Sequence, residues 1–283
     1  MAYEGNSSIL KSRTHVHRQL LMSKPVFPQP FTAIGCSQCR DAASLGFDFT
    51  MAFQPIIHVP SGRPFAYEAL VRGLNGEGAS DILAQVTPHN LYRFDQACRV
   101  KAIEQAAALG LGRKTDCKLS INFLPNAVYR ASTCIRATLE ATRTFDFPAN
   151  RLMFEVTEGE RIEDTEHLKA IFKEYDRQGF TTAIDDFGSG YSGLNLLAEF
   201  QPDVLKLDMA LTRGISQDPV RQAIVAGIVL VAERLGITLV AEGIETDAES
   251  QTLGALGIDL MQGYFFARPE INRLPLIERL ASS

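Results

Sequence analysis

The sequence predicts an α/β fold, a modified (β/α)8 TIM-like barrel with its first strand antiparallel. Three observations carry that expectation. Eight apolar, β-branched or aromatic runs recur from about residue 47. Most are separated by stretches with helical spacing, and strands alternating with helices argue for a parallel sheet that closes at eight units. The link HVPSGRPF between the first two runs is far too short for a parallel crossover, and its Ser61-Gly62 is a turn signal, so these two strands form an antiparallel hairpin.

Taken in order, residues 1–35 are polar and carry Pro25, Pro28 and Pro30. They read as an N-terminal extension, partly flexible, with some helical character at 14–22. Residues 36–283 form the barrel domain. Its strand candidates are FDFTMAFQPIIHV, PFAYEALVR, CKLSINFL, RLMFEVTE, FTTAIDDF, VLKLDM, TLVAEGIE and MQGYFFA. Helical spacing is evident at 92–109, 163–178, 218–235 and 246–256.

Composition narrows the function classes. The 283 residues are 46% hydrophobic and 22% charged, an ordinary globular balance. A net charge of −5 argues against duplex nucleic acid as a partner. A small anion stays possible where metals or a few basic groups neutralise it. There is no apolar run of about 18 residues and no signal-peptide core, so no membrane association is expected and a cytoplasmic location is. Five cysteines suit reduced thiols. Cys36 and Cys39, with His15 and His17 nearby, lack a second pair at zinc-finger spacing.

In parallel α/β barrels chemistry gathers at the C-terminal strand ends. There the sequence places Glu68 with Arg72, Asn122, Glu155 with Glu158, Asp185 with Asp186, Lys206 with Asp208, Glu242 with Glu245, and Gln262. Each alone could be a cap, a rim charge or a turn residue. Repetition on four strands changes the odds, because converging carboxylates repel unless something neutralises them. Oxygen ligands without His or Cys suit Mg²⁺ or Mn²⁺. Adjacent Asp185 and Asp186 should diverge at a strand end, serving two metals or one metal and the lysine. The glycines of GSGYSG would form a mobile loop that lets backbone approach a ligand.

YEALVR at 67–72, followed by SINFLP, FEVTE, DDFGSGYS, LKLD, AEGIE and QGYFFARP, resembles the EAL domains, bacterial cyclic di-GMP phosphodiesterases. The resemblance covers roughly residues 47–275. It implies hydrolysis of 3′,5′-cyclic di-GMP to 5′-pGpG by two-metal-ion catalysis, with two Mg²⁺ or Mn²⁺ ions per site. By resemblance, Glu68, Asn122, Glu155 and Asp185 hold one metal, and Asp185, Asp186 and Glu245 the second. Gln262 belongs to the same metal set and resembles the residue that helps position the metal-bound water. Glu242 resembles the general base or water-orienting ligand and Lys206 the lysine that holds water or a phosphate oxygen; with Glu68 they form the catalytic set. Arg72, Gln54 and Asp208 are expected to bind substrate, and Glu158 to anchor the loop after Asp186. Ser189 and Gly193 stand where Thr and Ser or Ala are common in the family. The resemblance also implies a homodimer through 187–214, with regulation by that association, by expression or by a separate sensor or effector protein. Rival readings are a non-catalytic cyclic di-GMP receptor or interaction module, a Mg²⁺-dependent lyase with Lys206 as base, and a scaffold that recruits a partner through its extension.

Overall fold

In a computed structural model of the chain, residues 45–113, 116–128, 131–157, 165–190, 193–275 and 277 are described. The expectations for residues 1–35, for Cys36 and Cys39, and for Glu158 lie outside the described residues.

The first two strands are β1 (Thr50–His58) and β2 (Arg63–Arg72). A single 3-10 turn at Val59–Ser61 joins them, and Gly62 closes it at φ 65°. That left-handed conformation is one a side chain would strain, which is why glycine serves. The pair is antiparallel, as the short link requires. The strands β3 (Lys118–Asn122), β4 (Leu152–Thr157), β5 (Thr181–Phe187), β6 (Val204–Leu207), β7 (Thr238–Ala241) and β8 (Leu260–Met261) follow. From β2 to β8 every neighbouring pair is parallel. β1 closes the barrel between β8 and β2, antiparallel to both. A two-residue β9 (Glu270–Ile271) lies against β1 outside the eight.

The helices are α1 (Ala79–Leu83), α2 (Leu91–Ala108), α3 (Ala131–Thr144), α4 (Thr165–Arg177), α5 (Gly193–Glu199), α6 (Met209–Thr212), α7 (Pro219–Leu235) and α8 (Asp247–Ala255). Local chemistry fixes the ends of α7. The Asp218 carboxylate accepts from the Val220 and Arg221 amides, proline follows at the first position, and Gly236 ends the helix at φ 70°. Among the described residues no helix is long and apolar enough to cross a membrane.

Two apolar layers hold the barrel. The outer one lies between strands and helices and includes Phe123, Phe154, Leu168, Phe172 and Tyr175. The inner one takes a single residue from each of seven strands: Ile56, Ala66, Met153, Ala183, Val204, Val240 and Leu260. It plugs one end of the barrel, so the interior is a packed core there and not a pore.

The eighth predicted strand is mostly something else. Only Leu260–Met261 pairs as strand, and MQGYFFA then leaves the sheet at Gln262. A Cβ at Gly263 would collide with the Ile244 backbone, so the chain folds tightly against the loop after β7. Ile244 N donates to the Gln262 carbonyl at 3.1 Å, and Phe265 N to the Ile244 carbonyl at 2.9 Å. Aromatic content there reflects burial of Phe266, not strand pairing.

Candidate metal centre

Successive strand residues face opposite sides, so residues two apart share a face. One step of two beyond the inner apolar layer therefore leads to a second inward layer. From Ala66, Met153, Ala183, Val204, Val240 and Leu260 that step reaches Glu68, Glu155, Asp185, Lys206, Glu242 and Gln262. On β1 the step runs backwards, from Ile56 to Gln54, because that strand is reversed; Gln54 and Glu68 are paired across the hairpin. Strand β3 contributes Ser120 and then Asn122. An apolar plug at one end and a polar layer at the mouth thus follow from one alternation.

Lys206 lies at the centre of that layer and is fully buried. Its ammonium is 2.8 Å from Glu155, 2.8 Å from Glu242, 3.0 Å from Asp185 and 3.4 Å from Glu68. Ser120 donates a short hydrogen bond to the other Glu155 oxygen. Glu68 is fixed on both oxygens: Asn122 donates to Oε1 at 2.9 Å, and Gln262 to Oε2 at 2.7 Å. Gln262 also reaches Gln54 at 3.3 Å, while its own Oε1 is buried without a hydrogen-bond partner.

Two groups of carboxylates bring oxygens within 4.8 Å of one another: Glu68, Glu155 and Asp185, and then Asp185, Asp186 and Glu242. Asp185 belongs to both. The expectation that Asp185 and Asp186 diverge is corrected here. Asp186 sits at φ 56°, and the β5–β6 register breaks between Ile184 and Phe187. That left-handed twist ends the strand alternation and swings the second carboxylate back towards the first. Backbone strain of this kind in a non-glycine residue clusters at functional sites.

Electrostatics agrees with an excess of acid. Burial pushes the Glu155 carboxyl up to about 8, against the pull of Lys206. Burial, with Asp185 and Asp208 nearby, pushes Asp186 up to about 6. Burial raises Glu242 well above the usual carboxylate range, with Lys206 opposing. Burial alone would lower the Lys206 ammonium, but its four carboxylate neighbours outweigh that and hold it protonated. Were all five carboxylates ionised, the one ammonium would leave a net charge of −4, which two divalent cations would cancel. An all-oxygen donor set, a shared central carboxylate and the orphaned Gln262 oxygen fit hard cations of the Mg²⁺ or Mn²⁺ kind.

The layer opens into a cleft of about 360 Å³. Gln54, Glu68, Asp185, Asp186, Asp208, Glu242, Glu245 and Gln262 line it among the residues marked from sequence. Asp208 also caps α6 through the Ala210 amide at 2.8 Å. Two marked residues stand apart. Glu245 belongs to neither carboxylate group and forms a two-point ion pair with Arg213, whose hydrogen bond lowers its pKa. The Arg72 guanidinium turns to the Val71 carbonyl at 2.7 Å and forms no part of the cleft wall. Sequence reading missed Ser120, Met209, Arg213 and Tyr264. Ser120 was findable, because it lies two residues before Asn122 on one face. Tyr264 follows Gln262-Gly263 directly but was hidden inside the eighth predicted strand. Met209 and Arg213 enter through the connection after β6, where no periodicity exists to read.

A (β/α)8 barrel with a reversed first strand and a carboxylate-ringed lysine at its mouth defines a class of acidic-centre barrels. The family model of the EAL domain matches residues 38–269, and the chain belongs to that family. It is 38% identical over 227 residues to the probable cyclic di-GMP phosphodiesterase PdeD of Escherichia coli K12, covering 78% of this chain and 42% of PdeD. It is 30% identical over 249 residues to the blue light- and temperature-regulated antirepressor BluF of the same organism, covering 87% of this chain and 61% of BluF. The chain thus spans less than two thirds of either relative. Among solved structures it is similar to a standalone versatile EAL protein from Vibrio cholerae O395 in its c-di-GMP-bound form. That likeness is 53% identical with a TM-score of 0.81, over 85% of this chain and 100% of that one. Klebsiella pneumoniae BlrP1, in a manganese and cyclic di-GMP complex, is 37% identical with a TM-score of 0.74, over 79% of this chain and 56% of that one.

Proposed function

We propose that this chain is a metal-dependent phosphodiesterase that opens 3′,5′-cyclic di-GMP to 5′-pGpG. The observation that carries the reading is the overcharged layer around Lys206, with Asp185 common to two carboxylate groups. PdeD is named for this activity as probable, and both structural relatives were solved with the dinucleotide. Glu68, Asn122, Glu155 and Asp185 would hold one divalent cation and Asp185, Asp186 and Glu242 another, leaving Glu245 to its arginine. When bound, such a pair supplies Lewis-acid polarisation of the phosphodiester and acidification of water.

The chain's own residues do the rest. Asn122 and Gln262 lock both oxygens of Glu68, so that ligand is oriented before anything binds. Lys206 stays protonated and serves as a hydrogen-bond donor towards water or phosphate oxygen, not as a base. That disfavours the lyase reading, which needs the lysine neutral. Glu242 lines the cleft 2.8 Å from Lys206, where it would orient the attacking water or accept its proton. Hydrolysis adds water across one P–O3′ bond, leaving a 5′-phosphate and a 3′-hydroxyl.

One observation favours a second reading, a cyclic di-GMP-responsive interaction module without turnover: BluF is named an antirepressor. The complete carboxylate set supports catalysis over it. For self-association, Leu194 and Met209 are exposed within 187–214, and the outer face of α7 adds Val220, Ile224 and Leu235. We read these together as the dimer surface.

Incubation with cyclic di-GMP and Mn²⁺ or Mg²⁺, with and without EDTA, tests the function by chromatography of products. Metal-dependent 5′-pGpG is expected. Binding without cleavage would replace the enzyme by the module.

A further inference from the structure

The mouth of the cleft carries one feature that hydrolysis of a phosphodiester does not need. Among the described residues that line the cleft, Tyr264 is the one aromatic side chain, and it is half exposed, at 50%. The Arg268 guanidinium lies over its ring, 4.2 Å from the centroid. A cation over one aromatic face polarises the ring and braces it. Large aromatic rings left in water beside a functional cleft are characteristic of recognition surfaces.

The ring is also held rigidly relative to the carboxylates. Gly263 packs against the Ile244 backbone with no room for a side chain. Phe265 N donates to the Ile244 carbonyl, and Gln54 Nε2 donates to the Ala267 carbonyl at 3.1 Å. Phe266 is buried beneath. The turn bearing Tyr264 is therefore stitched on one side to the segment between Glu242 and Glu245, and on the other to β1 beside Glu68. A loop with four such attachments does not need ordering when a ligand arrives, so little of the binding free energy is lost to it.

We propose that Tyr264, braced by Arg268, is the platform on which a purine base of the substrate stacks, fixing how the dinucleotide seats over the acidic layer. The inference rests on the cyclic di-GMP reading and extends it. A flat face beside a rigid anionic pocket suits a ligand that joins a base to a phosphate. Stacking uses the π-face common to all bases and is stronger for the larger purines. The platform thus favours purine over pyrimidine cyclic dinucleotides through area, not through hydrogen-bond readout.

The test is equilibrium binding of cyclic di-GMP and cyclic di-UMP in EDTA, where no turnover occurs, by calorimetry on the full chain. Base stacking lost to a non-aromatic side chain weakens binding by about tenfold to a hundredfold. Tyr264→Leu should show that loss for cyclic di-GMP and a smaller one for cyclic di-UMP. Tyr264→Phe should bind like the wild type, because the ring face is kept. With Mn²⁺ added, Tyr264→Leu should raise KM with kcat within a few-fold. Circular-dichroism melting of both variants checks the fold, and Arg268→Ala, a surface change, should weaken cyclic di-GMP by a smaller factor. Equal cyclic di-GMP affinity in wild type and Tyr264→Leu would overturn the platform while leaving the hydrolase reading intact. So would a Tyr264→Phe as weak as Tyr264→Leu, since the hydroxyl would then be the contact. A wild type that binds no cyclic di-GMP would remove the functional reading itself.

Discussion

Two buried cations in this barrel have opposite surroundings. Arg99, on α2 between barrel and helices, pairs with Asp95 at 2.9 Å and donates to the Tyr175 hydroxyl at 2.6 Å. Its guanidinium lies 5.2–5.8 Å from the ring centroids of Phe123, Phe154 and Tyr175. Asp95 in turn accepts from the Leu124 amide and from Gln96. One positive charge meets one negative charge, and the group is closed off by aromatic rings. Lys206, inside the barrel mouth, meets four carboxylates with a fifth nearby. The first cluster is balanced in charge. The second sets several carboxylates against one ammonium, an excess that bound cations would balance. Burial and polarity are shared; net charge separates a structural network from a functional one.

The largest expected effect breaks the acidic cluster. Glu242→Ala should lower the rate of cyclic di-GMP cleavage by about 10²–10⁴-fold, in the range of a lost proton-transfer group. Binding of the dinucleotide should largely survive. Without metal the variant should melt close to wild type, because three carboxylates still face Lys206. Retained turnover would take Glu242 out of the mechanism.

Breaking the balanced cluster should do the reverse. Asp95→Ala strands the Arg99 charge and should destabilise by about 3–5 kcal/mol in urea unfolding. Removing both charges, with Asp95→Leu and Arg99→Met, should recover much of that loss, since an apolar replacement of a buried pair is often neutral. A double variant as unstable as the single one would show that aromatic stacking on Arg99, and not charge pairing, holds the site.

Alkaline pH sharpens the same contrast. Burial pushes the Tyr175 hydroxyl from 10.0 up to about 12. A raised folded-state pKa means a contribution fully present below pH 10 and lost as pH rises through 12. The loss reaches about 2–3 kcal/mol. Burial pushes Tyr67 up to about 12 as well. Urea midpoints at pH 9 and pH 11.5 should fall in the wild type and fall less in Tyr175→Phe. An equal fall in both would assign the alkaline loss elsewhere.

The smallest effect belongs to the rim. Arg213 and Glu245 are 36% and 46% exposed, so water screens their pair. Arg213→Ala should change stability by under about 1 kcal/mol in thermal unfolding. A larger loss would mean that the pair braces the cleft wall between the connections after β6 and β7.

The strands were legible because their patterns are local. The FEVTE and LKLD runs show their alternation directly, and the shortness of HVPSGRPF forced the hairpin. Glu68, Asn122, Glu155, Asp185, Lys206, Glu242 and Gln262 were findable for the same reason: each ends or follows an apolar run. The resemblance to the family supplied roles that spacing could not. In the fold Glu245 pairs with Arg213 and Arg72 with the Val71 carbonyl, contacts that spacing could not foresee.

By itself the sequence determined the barrel, its reversed strand and the set of carboxylates, because strand alternation and link length are properties of neighbouring residues. Tertiary structure decided how those groups combine. It put one lysine within reach of four acids from four strands, rotated Asp186 back towards Asp185 through a left-handed backbone, paired Glu245 across a loop, and seated Tyr264 on a turn locked to its neighbour. Each depends on distances between residues remote in the chain, and barrel closure sets those distances, not sequence spacing.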